Sequence, residues 1–158
     1  MRVSSLVGLL AVSVLGACGS EPTDPHDEPV NCAAEPDADD FVLGMQKAGV
    51  DGVLGLEFVS ASPAPPARGD NDWVIRVHAL DNGAPGTPAD GADIVVTPFM
   101  PKHQHGTGVE ANVQPMSSAG QYLLSPVNLW MPGMWEVTID VTSEVGNDSI
   151  VLKACIPS

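Results

Sequence analysis

The chain has 158 residues, of which 20 are acidic and 6 are Lys or Arg, so its formal net charge is −14. This excess of acid argues against nucleic-acid binding and against docking on anionic lipid, since both need a basic patch. The 15 Pro and 16 Gly residues, with no sustained helical period, predict a domain built from short strands and turns.

The N-terminus has the pattern of a bacterial lipoprotein signal peptide. An apolar stretch, residues 6–15, is too short to span a bilayer as a mature helix. It leads into Leu15-Gly16-Ala17-Cys18, which resembles a lipobox. We therefore expect residues 1–17 to be removed and Cys18 to be acylated, which would anchor the protein in a membrane. Gly19, in place of an aspartate, favours the periplasmic face of the outer membrane.

An acidic segment, residues 18–40, precedes the domain. Eight acids and no Lys or Arg lie between residues 21 and 40. Such a segment buries little surface and repels itself, so we expect an extended, lipidated tether. A calcium loop is the alternative, but the fixed ligand spacing of such a loop is absent. The folded domain is expected to span residues 41–158.

Two further cysteines, Cys32 and Cys155, are expected to pair. In an oxidising compartment a disulfide is the simplest outcome for two cysteines. A metal or redox site is the alternative, but their separation fits no Cys-x-x-Cys pattern. The bridge would tie the segment before the domain to its last strand.

Seven strand-like runs separated by turn signals make up the predicted domain. In residues 73–80 the side chains alternate between two faces, and an Asn-Gly turn signal follows at residues 82–83. Seven short strands predict an all-β, immunoglobulin-like β-sandwich, with a barrel as the alternative. Much of the core is expected from Trp73, Trp130 and Trp135. The predicted strands are residues 53–61, 73–80, 92–99, 108–114, 121–127, 135–142 and 149–155.

Two runs rich in methionine and proline, residues 98–106 and 129–135, are the most informative for function. Both combine metal-ligand side chains with Pro and Gly, which restrict the backbone. In a sandwich of this class the third and sixth strands are antiparallel neighbours, so the end of one lies beside the start of the other. Folding is therefore expected to bring the runs together. The candidate ligands are His103, His105, Met100, Met131 and Met134, with Met116 as a further methionine.

Imidazole and thioether groups together are the ligand chemistry of copper. Few carboxylates accompany these runs, which disfavours calcium, magnesium and manganese, and zinc gains little from methionine. The sequence therefore predicts copper binding, in a chaperone, sensor or buffer. The alternative is a metal-free structural or protein-interaction module in which both runs serve turns and packing. His78, in mid-strand, is expected to pack, and His26 to be solvated.

Enzyme activity is not expected. The sequence has no Gly-x-Ser-x-Gly elbow, no phosphate-cradling glycine loop and no His-Glu-x-x-His helix. We expect a monomer whose partners are the membrane, through the lipid anchor, and copper-handling envelope proteins.

Three motifs, taken in order, resemble those of the YtkA-like domain family, which is related to FixH-type proteins. They are residues 97–106, Gly120-Gln121-Tyr122 and residues 131–137, the last of which begins Met-Pro-Gly-Met-Trp. The resemblance covers residues 72–141 and implies a small exported β-sandwich. Family members occur alone or attached to metal-efflux and oxidase-assembly systems, which implies copper handling. The chain lacks the FixH-type transmembrane anchor, which argues against a role in oxidase assembly.

Overall fold

The structure, a computed structural model, describes residues 29–158. The predicted signal peptide, Cys18 and His26 lie outside these residues. Within them, no helix is both long enough and apolar enough to cross a membrane. One 3₁₀ helix is present, Cys32–Ala34. The strands are β1 (Met45–Ala48), β2 (Leu54–Ser62), β3 (Gly69–Asp81), β4 (Ala84–Pro88), β5 (Asp93–Met100), β6 (His105–Gly106), β7 (Asn112–Pro115), β8 (Gln121–Leu129), β9 (Gly133–Ser143) and β10 (Gly146–Ile156).

The strands form two antiparallel sheets, which confirms the predicted β-sandwich. The first sheet has the order β1-β2-β3-β8-β7, with β4 also paired to β3, and the second has the order β10-β9-β5-β6. The seven predicted strands correspond to β2, β3, β5, β7, β8, β9 and β10. They divide between the sheets as strands A, B, E and D and strands C, F and G of an immunoglobulin-like domain do.

Three short strands, β1, β4 and β6, were not predicted. β1 reads Met-Gln-Lys-Ala, β4 contains two prolines and a glycine, and β6 has only two residues. None of them shows the alternating apolar pattern that identifies a strand in sequence. Each of them is defined by its pairing with a longer strand. β1 pairs with β2, β4 pairs with β3, and β6 pairs with the end of β5.

The core lies between the two sheets. Alternate residues of β3 and β9 point into it, so that Trp73, Ile75, Trp135 and Val137 are fully buried. Each such side chain contributes roughly 1.5–3 kcal/mol on burial. The expectation for Trp130 was wrong. It is 45% exposed, because it follows the last residue of β8, where the sheet ends.

The turn between β3 and β4 confirms the Asn-Gly signal. Asn82 and Gly83 have φ values of 51° and 82°, and Asp81 pairs with Ala84. A two-residue hairpin turn of type I′ needs positive φ at both central positions, and Asn-Gly supplies them with the least strain.

The described part of the acidic segment, residues 29–40, is held against β10 rather than extended in solvent. The predicted disulfide is present between Cys32 and Cys155, 123 residues apart in sequence. The Asp39 backbone N–H donates to the Lys153 carbonyl, and the Lys153 N–H donates to Asp39 Oδ2, both at 2.8 Å. Composition alone did not indicate this docking, because it depends on a covalent bond and one carboxylate rather than on apolar burial.

Candidate metal centre

Strands β5 and β9 bring the two methionine-rich runs to one rim of the sandwich. They are antiparallel neighbours, and their register places Phe99 opposite Glu136. The end of β5 therefore lies beside the start of β9. This is the arrangement expected for the third and sixth of the seven predicted strands, to which β5 and β9 correspond. The chain then turns back through β6, with Met100 opposite His105.

A tight turn carries His103. The backbone N–H groups of His103 and Gln104 both donate to the Met100 carbonyl, at 3.2 Å and 2.8 Å. Gln104 has a positive φ of 55°, which closes the turn before β6 begins. Pro101 and Lys102 are exposed at its tip, whereas His103 is half-buried. The turn thus directs one imidazole toward the body of the protein.

An open groove of about 680 Å³ runs along this rim. Both methionine runs contribute to one side of it, and the docked N-terminal segment forms the facing wall. The groove is therefore not a feature of the sandwich alone. The residues from the rim are Met100, Pro101, Lys102, His103, Met131, Pro132, Gly133 and Met134, and those from the N-terminal wall are Pro29, Val30, Asn31, Ala34, Glu35 and Asp37.

The three candidate methionines lie at different depths. Met100 is fully buried, whereas Met131 and Met134 are half-buried. Gly133 has φ +130°, and a Cβ added to it would lie 2.6 Å from Met100 Cε. The glycine therefore leaves room for the Met100 thioether to reach the boundary between core and groove.

His103 and His105 lie near each other, but only His103 lines the groove. Their ring centroids are 5.8 Å apart. The His105 ring stacks on Trp130 at 5.3 Å and meets the edge of Trp135 at 6.3 Å. His105 Nδ1 is 3.1 Å from the Gly106 carbonyl oxygen. If Nδ1 donates there, the neutral ring presents Nε2 as its lone-pair donor, which is the usual arrangement for a histidine that binds a metal.

Charged side chains of both signs line the groove, namely Lys102, Lys153, Glu35, Asp37 and Glu136. Lys153 and Glu136 form a loose ion pair at 3.8 Å. Across residues 29–158, no group of three or more His, Cys, Asp or Glu side chains is arranged to hold a metal ion.

Two residues considered in the sequence lie elsewhere. Met116 follows β7, and its N–H donates to the carbonyl of Gln121. Gln121 is the first residue of β8, whereas Trp130 follows the last residue of that strand. Met116 is therefore not a candidate for this site. His78 is packed in β3 with 3% exposure. Burial lowers its pKa, and Arg76 adds to that effect while Glu57 opposes it, so the neutral ring is favoured.

Sequence reasoning did not identify the N-terminal wall of the groove. It also did not identify that Cys155 lies directly opposite Met134 in the β9–β10 register. The position of Cys155 opposite Met134 could have been predicted from the sequence, because a short turn between two alternating strands determines which residues face each other. The wall was not, because only the folded chain shows residues 29–37 lying across the rim.

A family model, described as YtkA-like, matches residues 52–140, which is more than half of the chain. No curated protein and no solved structure gives a significant match. The matched range includes both methionine-rich runs. It leaves out Cys32 and Cys155, so the disulfide and the wall that it holds lie outside the region that defines the family.

Proposed function

Given that this chain belongs to the YtkA-like family, whose match indicates a domain of the bacterial-envelope type, we propose that it is a non-catalytic, lipid-anchored envelope protein that binds Cu(I). The nitrogen ligands are His103 and His105. Thioether sulfur comes from Met131 and Met134, with Met100 behind them. The protein would hand the ion to, or receive it from, copper-handling proteins of the envelope.

The observation that carries this proposal is the meeting of His103 with three methionines along one groove. Thioether and imidazole are soft and borderline ligands, and together they favour Cu(I). Calcium and magnesium need oxygen ligands, and zinc sites are built from His, Cys and carboxylates. No group of three such side chains is assembled among residues 29–158.

The neighbouring aromatic rings support the same ion. Trp130 stacks on His105, and the Trp135 indole N–H donates to the Met131 carbonyl at 2.9 Å. The second contact ties the 131–134 turn to a fully buried side chain of β9. The two indoles would limit the access of water to a bound Cu(I) ion and hold its ligands in place.

A competition titration with Cu(I) under nitrogen tests the site. In the His103→Ala/His105→Ala variant we expect affinity to fall by at least about 10- to 100-fold, the loss that even outer-shell partners of metal ligands cause. The Met131→Leu/Met134→Leu variant should also bind more weakly, since leucine keeps the volume and removes the sulfur. Met116→Leu is the matched control and should bind as the wild type does.

Unchanged affinity in both double variants would rule out these ligands. It would favour a second candidate function, a metal-free interaction module. Exposed aromatic surface at the same rim supports that candidate, since Phe99 and Trp130 are 40% and 45% exposed. In that case the rim would serve as a docking patch.

Anchoring is proposed through Cys18, on the periplasmic face of the outer membrane. Replacing Cys18→Ser is expected to move the protein from the membrane fraction to the soluble fraction and to abolish labelling with an alkyne-tagged fatty acid. Cys32→Ser is the matched control and should remain labelled. Labelling that persists in Cys18→Ser would contradict the anchor.

A further inference from the structure

The disulfide lies beside the proposed copper ligands. In the β9–β10 hairpin Cys155 is opposite Met134, and Lys153 is opposite Glu136. Alternation along both strands buries Trp135 and Ala154 and turns Met134 and Cys155 to the outer face. Side chains of directly paired residues have Cβ atoms about 4.5–5.5 Å apart, so the side chains of Cys155 and Met134 start from neighbouring positions on the outer face of the sheet.

Cys32 reaches the same place from the other wall of the groove. Its neighbours Asn31 and Ala34 line the groove, as do Met134 and Lys153 on the strand side. Both cysteines are half-buried rather than enclosed, so a small or protein thiol can reach the bridge. Two sulfur atoms that are potential ligands for a soft metal thus lie at the edge of a groove already lined by thioethers.

Contacts on both sides of Cys32 would keep it near Cys155 after the bridge is opened. On one side the Val30 N–H donates to Ser158 Oγ at 2.9 Å. On the other, Asp39 is joined to the Lys153 backbone by two hydrogen bonds and to the Lys47 ammonium at 2.6 Å. With the Cα atoms 5.6 Å apart in the bridged form, a shift of about an ångström or two would place one metal ion between two thiolates.

We propose that reduction of the Cys32–Cys155 disulfide creates a second, tighter Cu(I) site, formed by the two thiolates with the Met134 thioether. This inference rests on the proposed function, since it brings the same ion to the same groove. A protein dithiol donates two electrons and two protons, which open the bridge to two thiols, and the dithiol becomes a disulfide. Binding of Cu(I) then releases the two thiol protons.

The reverse reaction would release the ion. A disulfide-bearing oxidant takes two electrons from the two thiolates, the bridge reforms, and Cu(I) loses both anionic ligands. The imidazole and thioether ligands remain, and they hold Cu(I) less strongly than thiolate does. The redox state of one bridge would thus set the affinity of the groove.

The test compares oxidised and reduced forms of the full chain carrying Cys18→Ser, so that Cys32 and Cys155 are its only cysteines. After reduction with a phosphine and desalting under nitrogen, we expect Cu(I) to bind at least about tenfold more tightly than to the oxidised form. Bound Cu(I) should protect both thiols from alkylation and produce copper–thiolate absorption in the ultraviolet. When Cys32→Ser and Cys155→Ser are added to the same chain, the tighter binding, the protection from alkylation and the copper–thiolate absorption should all be lost.

Equal affinity in the oxidised and reduced forms, or reduced thiols that alkylate freely with Cu(I) present, would overturn the inference. A failure of the proposed function looks different, because it appears in the oxidised form as an affinity that does not depend on His103 and His105. If reduction unfolds the chain, Cu(I) should restore the near-ultraviolet circular dichroism of the reduced protein. Cu(I) should not restore that signal in the Cys32→Ser/Cys155→Ser variant. A chain that stays unfolded with Cu(I) would also overturn it.

Discussion

Replacing Cys32 and Cys155 together with serine is expected to lower the free energy of unfolding by about 4 to 5 kcal/mol, close to the upper end for a single bridge. The bridge closes a loop with a sequence separation of 123 residues. In the chain-entropy model such a loop strongly restricts the unfolded state, while the native sandwich changes little. The contacts of Val30 with Ser158 and of Asp39 with Lys153 and Lys47 do not depend on the bridge, so the N-terminal wall of the groove should stay close to the sandwich while the chain is folded.

Urea denaturation followed by tryptophan fluorescence measures this effect, with Cys18→Ser present in all samples. Reduced wild-type chain should match the serine variant, because both lack the same cross-link. A loss below about 1 kcal/mol would show that the unfolded chain stays compact near the bridge or that the bridge strains the native state. Either result would contradict the entropic account.

Replacing Asp148→Asn is expected to lower the free energy of unfolding by about 2 to 4 kcal/mol at neutral pH. Asp148 is 7% exposed at the start of β10. Its Oδ1 accepts from the N–H groups of Asp51 and Ser149, and its Oδ2 accepts from those of Val53 and Leu54, at 2.8–3.0 Å. An asparagine amide would turn its NH₂ group toward two of these donors.

The effect should depend on pH in a defined direction. Burial raises the pKa of Asp148, but the four backbone N–H donors outweigh it, so the pKa lies below its usual value. The unfolded chain then binds more protons near that pKa. The stabilisation is therefore fully present above about pH 4, the range of an ordinary aspartate, and is lost as pH falls through the folded-state pKa.

Denaturation of the wild type and Asp148→Asn from pH 7 to pH 2.5 measures both predictions. The difference between their unfolding free energies should be large and constant at neutral pH and should shrink below about pH 4. Asp140→Asn is the matched control on the same hairpin. Asp140 is exposed and accepts only from the Ser149 hydroxyl among the described residues, so its loss should stay within about 0.5 kcal/mol. A difference in unfolding free energy between wild type and Asp148→Asn that widens as the pH falls would contradict the lowered pKa assigned to Asp148.

The sandwich was predictable because its long strands carry their own periodicity. In β9 the apolar residues Trp135, Val137 and Ile139 alternate with polar ones, and this period of two identifies both the strand and its buried face. Assigning the strands to an immunoglobulin-like order then placed the end of β5 beside β9. The short strands β1 and β6 lack that pattern, so only their neighbours define them.

The candidate site was predictable in part. His103, Met100, Met131 and Met134 do line one groove, while His105 packs on Trp130 beside it. The burial of Met100 and the exposure of Trp130 could not be predicted, because each depends on the exact residue at which a strand ends. The four N–H groups around Asp148 come from residues nearly 100 positions away in sequence, apart from Ser149.

Local patterns in the sequence were enough to indicate an acidic β-sandwich, its strand order and the two runs that meet at one rim. They reflect short-range properties, namely alternation, turn residues and side-chain chemistry, that each segment carries by itself. The tertiary structure alone decided that the acidic N-terminal segment, residues 29–37, lies across the rim and closes the groove. Such contacts join distant parts of the chain, and no local pattern encodes which distant groups meet.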